Sequence, residues 1–195
     1  MNPSPIVLAS TSRYRRELLQ RLRLAFTVAA PRIDESPLAG ELPLATARRL
    51  AMAKAKAAAQ AHPGAIVIGS DQVADVDGEA LSKPGSHDAA LRQLLRMQGR
   101  EVVFHTALTV VGADGRQFVE DVPTVVRFRT LPADRLDAYL RAEQPYDCAG
   151  AAKIESLGIT LVESVRSDDP TALIGLPLIR LTSLLAACGV ALPAS

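Results

Sequence analysis

Between Ala9 and Leu19 the chain reads A-S-T-S-R-Y-R-R-E-L-L. Ser10 and Ser12 supply hydroxyls, and Arg13, Arg15 and Arg16 supply cations, where an apolar strand is expected to become a helix. Free N–H groups and the helix dipole favour an anion at such a junction. Arginine adds a planar fork of donors matched to phosphate oxygens. These residues read as a triphosphate cradle or as a capped helix with a solvated cationic face. They lack the G-x-x-x-x-G-K-[ST] pattern of a P-loop.

A second stretch, I-V-I-G-S-D-Q-V from Ile66 to Val73, drives Asp71 out of an apolar run. A carboxylate at a strand end often faces a cleft. It could hold Mg²⁺, which prefers one or two carboxylates plus substrate phosphates. It could also serve as a general base on water, or simply cap a turn. Asp34-Glu35 is a second acidic pair, in a loop broken by proline, suited to share a metal or to remain an exposed charge. Lys54 lies on the same helical face as Ala47, Leu50, Ala51 and Ala58, so it either snorkels or reaches a partner. Lys83, before Pro84, offers a point charge for a leaving pyrophosphate or is a surface lysine. Cys148 has no histidine nearby in sequence and reads as a small buried residue rather than a nucleophile.

The elements that must position these groups follow from pattern. Ile6 to Ala9 reads as a buried strand, and Ser12 as the N-cap of a helix running to about Leu22. Phe26 to Ala30 reads as a strand. Leu44 to His62, rich in alanine, is the clearest helix. Ile66 to Ser70 is expected as a strand, and Val73 to Leu81 as a hairpin turning at Asp77-Gly78. Ser86 to Met97 is an amphipathic helix. Val102 to Val111 and Val119 to Phe128 read as long antiparallel strands, followed by a helix from Pro132 to Glu143. Ile159 to Val165 is expected as a strand. Pro177 to Cys188 is the last helix, with proline in its first turn and Gly189 past its end. Together these predict an α/β fold with a mixed sheet, flanking helices and two lobes around a deep cleft.

Composition narrows the partners. The 195 residues suffice for one domain spanning 1–195 with a substantial core. A net charge of +1 gives no bulk argument for nucleic acid. No apolar run approaches the length of a membrane span, and the N-terminus does not read as a signal peptide. Two cysteines, Cys148 and Cys188, form no disulfide framework and fit a cytoplasmic protein. The three histidines show no metal-ligand spacing.

Taken together, the motifs resemble the Maf family of nucleoside triphosphate pyrophosphatases. The matching pieces are L-A-S-T-S-x-x-R from Leu8, D-E at 34–35, R-L-A-x-x-K at 49–54, G-S-D-Q at 69–72, K-P at 83–84, D-C-A-G at 147–150 and G-L-P-L at 175–178. Each is weak alone, and the ordered set is specific. The resemblance implies two lobes flanking a cleft, hydrolysis between the α- and β-phosphates of a nucleoside triphosphate, and a divalent metal cation, Mg²⁺ or Mn²⁺. It carries phosphate contacts onto Ser10, Arg15, Lys54 and Lys83. It carries the acidic, metal-holding centre onto Glu35 and Asp71, with Asp71 as proton acceptor. It also suggests a homodimer.

Within the family, D-Q after the strand, the D-C-A-G loop and K-x-E at 153–155 look like the branch acting on 7-methyl-GTP. The branch acting on dTTP and UTP typically reads A-D-T and G-I-Q-G at those places. The resemblance makes Tyr14, Gln72 and Glu155 the specificity residues. The chemistry is consistent: methylation at N7 leaves a delocalised positive charge on guanine, on which an aromatic ring can stack. A carboxylate can accept from the guanine N1 and N2 donors. The implied role is removal of 7-methyl-GTP before its incorporation into RNA. The same reaction on dTTP, UTP or another noncanonical nucleotide, or a nucleotide-binding regulator of cell division and septum formation, are the other readings. Two positions depart from the family pattern: Arg13 stands where proline is usual, and Ser156 where glycine is common after Glu155.

Overall fold

A computed structural model describes residues 4–193. Seven strands form one mixed sheet. β1 (Ile6–Ala9), β2 (Thr27–Ala29) and β3 (Ile66–Val76) are joined in parallel about β1. β5 (Glu101–Val111), β6 (Gln117–Phe128) and β7 (Val162–Arg166) continue from β3 as antiparallel neighbours, giving the order β2-β1-β3-β5-β6-β7. The short β4 (Glu79–Leu81) pairs with the far end of β3.

Asp71 is not at a strand end followed by a separate hairpin; β3 runs unbroken from Ile66 to Val76. Along one edge it pairs with β1 as far as Gly69, and with β4 from Ala74 onwards. Between them, Ser70 to Val73 keep β5 on one side and have no strand on the other. The strand outlasts its first neighbour because β5 supports it continuously, which no local pattern in β3 encodes. A crevice therefore opens beside the middle of the strand, just beyond the carboxyl end of β1.

Apolar side chains gather at both ends of this long strand. At the β1 end, Leu8, Ile66, Ile68 and Leu108 are buried with Leu18 and Leu19 of helix α1 (Arg13–Gln20) and Leu181 of helix α5 (Leu178–Ala187). At the β4 end, Val76, Phe104 and Val126 are buried with Leu94 and Met97 of helix α3 (His87–Met97) and Leu136 and Leu140 of helix α4 (Ala133–Glu143). Burying each large side chain contributes roughly 1.5–3 kcal/mol. The two clusters fix the two lobes and leave the stretch between them to the cleft.

Helix α2 (Pro43–Ala61) lies across β3 and β5 through small residues, Ala47, Ala51, Ala55 and Ala58. Ser12 caps α1 as the sequence predicts, and Ser86, expected as the first residue of its helix, instead caps α3, each accepting from the backbone N–H three residues on. The hairpin turn at Asp77-Gly78 and the helices fall within a few residues of expectation. Two expectations shift. The segment Leu157–Leu161 is a 3₁₀ turn, so β7 begins at Val162 rather than Ile159. Pro177 precedes α5 as its cap residue instead of entering its first turn. There Asp169 and Thr171 do the capping, accepting from the N–H groups of Ile179 and Leu178 at 2.7 and 2.8 Å. No helix among the described residues is long and apolar enough to cross a membrane.

Candidate active site

The centre of the cleft exists because a helix comes unusually close to a strand. A Cβ on Gly69 would lie 2.5 Å from the Ala51 carbonyl oxygen and 2.8 Å from the Ala55 nitrogen, so only glycine lets α2 sit at this depth. Between those two alanines α2 carries Lys54, and two residues beyond Gly69 β3 carries Asp71. The ammonium meets Asp71 Oδ1 at 2.6 Å and Glu35 Oε2 at 2.8 Å. Lys54 and Asp71 are 5% and 7% exposed. Lys54 therefore does not snorkel; it pairs with the buried Asp71 and bridges it to the more exposed Glu35, offsetting the repulsion between the two carboxylates.

Glu35 sits on an irregular loop and is anchored indirectly. Glu41 accepts from Arg49 Nε at 2.6 Å and Nη2 at 2.7 Å, a bidentate pair, and from Thr46 Oγ1 at 3.0 Å. Arg49 also donates to the Ser36 carbonyl at 3.1 Å. The Arg49 hydrogen bond holds the Glu41 carboxyl down at about 2.

Beside this centre is the cationic junction. Ser10 is buried, and its Oγ accepts from Ser12 N–H at 3.1 Å. Ser12 Oγ accepts from Arg15 N–H at 3.4 Å. The N–H groups of Thr11, Arg13 and Tyr14 have no protein acceptor among the described residues. Arg15 points inward and donates from Nε to the Gly175 carbonyl at 2.8 Å. The same carbonyl accepts from Ser70 Oγ at 2.9 Å, so a loop a hundred residues away fixes both. Gly175 adopts φ of 117°, which a side chain would strain. Burial pulls the Arg15 guanidinium below its ordinary value, and the Asp71 and Glu35 carboxylates pull it back. Lys83, exposed in the loop after β4, lines the cleft and has no ion-pair partner among the described residues.

The remaining candidates form the opposite corner. Gln72 Nε2 lies 3.0 Å from Thr106 Oγ1, 3.0 Å from the Ala172 carbonyl and 2.9 Å from the Leu173 carbonyl. Its amide nitrogen is committed to the protein, and only its oxygen remains to meet a ligand. Glu155 stands on a turn, with partial desolvation raising its carboxyl above its ordinary value. Glu143, the last residue of α4, organises that turn by accepting from Lys153 Nζ at 2.7 Å, Ser156 Oγ at 2.8 Å and Leu157 N–H at 3.2 Å. Ser156 has φ of −132°, so no glycine is needed there and the hydroxyl adds a hydrogen bond. Tyr14 Oη accepts from Arg13 Nη2 at 2.8 Å. Cys148, half-buried beside Tyr14, has its thiol pushed up to about 12 by burial, which rules against a thiolate nucleophile.

All nine candidates line one cleft of about 790 Å³: Ser10, Tyr14, Arg15, Glu35, Lys54, Asp71, Gln72, Lys83 and Glu155. That volume suits a nucleotide-sized ligand. The supports that sequence reasoning missed are Ser70, Gly175, Glu41, Arg49 and Glu143. Gly175 begins a motif the sequence displayed; Glu143 has no local signature, because its partners lie beyond the turn it holds.

The donor set also bears on a metal. Lys54 takes one oxygen of each carboxylate, leaving Asp71 Oδ2 and Glu35 Oε1 without a protein hydrogen bond among the described residues. Among those residues no cluster of three or more histidine, cysteine or acidic groups is gathered. Two carboxylates beside a phosphate-sized space fit a hard divalent cation that takes its other ligands from substrate and water.

Proteins named 7-methyl-GTP pyrophosphatase share 57% identity in Bordetella pertussis, over 96% of this chain and 94% of that one, and 60% identity in Thiobacillus denitrificans, over 95% and 92%. A crystal structure of a nucleoside-triphosphatase/dITP/XTP pyrophosphatase from Mycobacterium abscessus aligns at 19% identity and a TM-score of 0.42, over 66% of this chain and 74% of that one, a likeness too distant to carry an argument. Residues 5–188 match the family described as Maf-like protein, and with that match spanning nearly the whole chain the protein belongs to that family.

Proposed function

We propose that this protein hydrolyses 7-methyl-GTP to 7-methyl-GMP and pyrophosphate, and so removes a modified nucleotide before it enters RNA. The observation that carries the reading is the convergence of Lys54, Asp71 and Glu35 on one point of a cleft whose far corner holds Tyr14, Gln72 and Glu155. The relatives that share more than half of its residues carry the same activity in their names.

The roles follow from charge and position. The unpaired N–H groups at the start of α1, with Ser10 and Arg15, cradle the triphosphate. Lys83 meets the leaving pyrophosphate as a point charge. A divalent cation, Mg²⁺ or Mn²⁺, held by Glu35 and Asp71, would offset charge on the phosphate oxygens. Asp71 orients and deprotonates the attacking water, its free Oδ2 being the oxygen available for the proton. Lys54 keeps the two carboxylates together while the site is empty and gains phosphate oxygens as further partners when substrate arrives. At the other corner Tyr14 stacks on the base, Glu155 accepts from guanine N1 and N2, and the Gln72 oxygen accepts a further donor. A cytoplasmic, homodimeric enzyme without nucleic-acid or membrane partners completes the proposal.

The test is pyrophosphate release, with Mg²⁺ or Mn²⁺, from 7-methyl-GTP, GTP, dTTP, UTP and CTP. Strong preference for 7-methyl-GTP supports the reading. Preference for dTTP or UTP keeps the reaction and overturns the base assignment. No release from a folded protein overturns the enzyme and favours a nucleotide-binding regulator.

A further inference from the structure

The base corner is not empty of cations. The Arg13 guanidinium carbon lies 4.7 Å from the centroid of the Tyr14 ring, and Arg13 Nη2 is hydrogen-bonded to the ring's own hydroxyl at 2.8 Å. Lys153 Nζ, held by Glu143, lies 5.9 Å from the same centroid. An aromatic face attracts a cation through its quadrupole, and a second cation brought to that ring meets both a used face and a like charge.

We infer that Arg13 is a specificity-determining residue that occupies the Tyr14 platform in the free protein as a stand-in for a cationic base, and that it holds down the preference for such a base. This rests on the assignment of Tyr14 to the base. A 7-methylated purine must exchange one cation for another on the ring, or share the ring with Arg13 across its two faces. Either way the arginine disfavours a positively charged base more than a neutral one.

The surroundings suit a displaceable side chain. Arg13, Tyr14 and Glu155 line both the main cleft and a smaller cavity of about 320 Å³. Asp147 borders the cleft and Glu17 the smaller cavity, so a carboxylate waits on each side for a guanidinium that leaves the ring. The fold does not need the arginine. Residue 13 opens α1, its N–H has no protein acceptor among the described residues, and its side chain is exposed. Proline is at home in the first position of a helix for that reason.

The experiment compares wild type with Arg13→Gln, Arg13→Pro and Arg13→Lys. Steady-state pyrophosphate release is measured on 7-methyl-GTP and GTP, and calorimetry follows binding of the nucleoside 7-methylguanosine, which has no phosphate. For the glutamine and proline variants, kcat/KM for 7-methyl-GTP relative to GTP rises about two- to five-fold, with the change in KM. The nucleoside binds tighter by a similar factor. The lysine variant, which keeps a cation over the ring, stays near wild type. A matching rise in KM for both nucleotides would assign Arg13 to phosphate binding and overturn the inference, as would an unchanged ratio. If neither nucleotide is hydrolysed, the functional proposal fails, and the nucleoside titration still decides Arg13: unchanged affinity across the variants sinks it.

Discussion

The two ends of the cleft are built on different terms. The acid–lysine centre stands on α2 and β3, with Lys54 and Asp71 buried and Gly69 locking the helix against the strand. The base corner stands on Tyr14 at a helix start and Glu155 on a turn, both reached by solvent, with Glu143 holding the turn around Glu155 and the Ala172 and Leu173 carbonyls holding Gln72. Chemistry on a phosphoanhydride needs charges fixed in place, because their electrostatic worth is greatest in a preorganised, partly dry site. Choosing a base needs a surface that can be re-lined by changing one exposed residue. Arg13 is such a change, and so is Ser156, which replaces backbone freedom with a hydrogen bond to Glu143.

The contrast is broken most severely at the buried end. Asp71→Asn keeps the shape of the side chain and removes its basicity. Pyrophosphate release is expected to fall about 10²- to 10⁴-fold while nucleotide binding, followed by calorimetry, survives. Persistent turnover would remove Asp71 as base.

Lys54→Met leaves the buried Asp71 carboxylate without its cation, near the more exposed Glu35, and is expected to destabilise the fold by about 3 kcal/mol. Thermal unfolding with and without Mg²⁺ sharpens the point: if Glu35 and Asp71 share a metal, Mg²⁺ raises the Tm of this variant more than that of wild type. Equal shifts would separate the metal from these two carboxylates. Gly69→Ala probes the same centre from behind. The added methyl forces α2 away from β3, costing about 2 kcal/mol, and lowers kcat because Lys54 moves with its helix. A variant with reduced Tm and wild-type kcat would show that the centre tolerates the displacement.

At the exposed end effects are smaller and selective. Glu155→Gln is expected to raise KM for 7-methyl-GTP about ten-fold while leaving dTTP and UTP hydrolysis unchanged. Because the Glu155 carboxyl is raised by burial, its recognition of the base fades on acidification earlier than an ordinary glutamate would allow. The substitution should flatten that part of the KM–pH profile. The least effect belongs to the loop bearing Glu35. The Glu41 carboxyl is held at about 2 against an ordinary 4.5. Its contribution is present above 4.5 and lost as pH falls through 2. Hydrogen exchange across residues 31–42 should stay protected down to about pH 3 in wild type and lose that protection in Glu41→Gln at all pH values.

Much of this molecule was readable along the chain. Ser12 announced its helix, Asp77-Gly78 its hairpin, and the apolar runs of 102–111 and 119–128 two long strands. Local preference and turn chemistry decide such features, so they survive in sequence. The continuous β3 did not, since β5 supplies the support that carries it past the end of β1. The start of β7 was misplaced for a similar reason: Leu157 to Leu161 is apolar enough for a strand but is drawn into a 3₁₀ turn by the ties of Glu143 to Ser156 and Leu157.

The sequence by itself determined which chemistry was at hand: cations and hydroxyls at a strand–helix junction, two acidic sites, two lysines, an aromatic ring, and an order of motifs that named a family. Tertiary structure alone decided how these groups are spent. Lys54 became a bridge between Glu35 and Asp71 because α2 crosses β3 at Gly69. The nitrogen of Gln72 was committed to carbonyls a hundred residues away, and Arg13 was laid over Tyr14. A side chain's identity is local, but its partners are set by where distant elements pack, and charge and hydrogen bonding act only between partners.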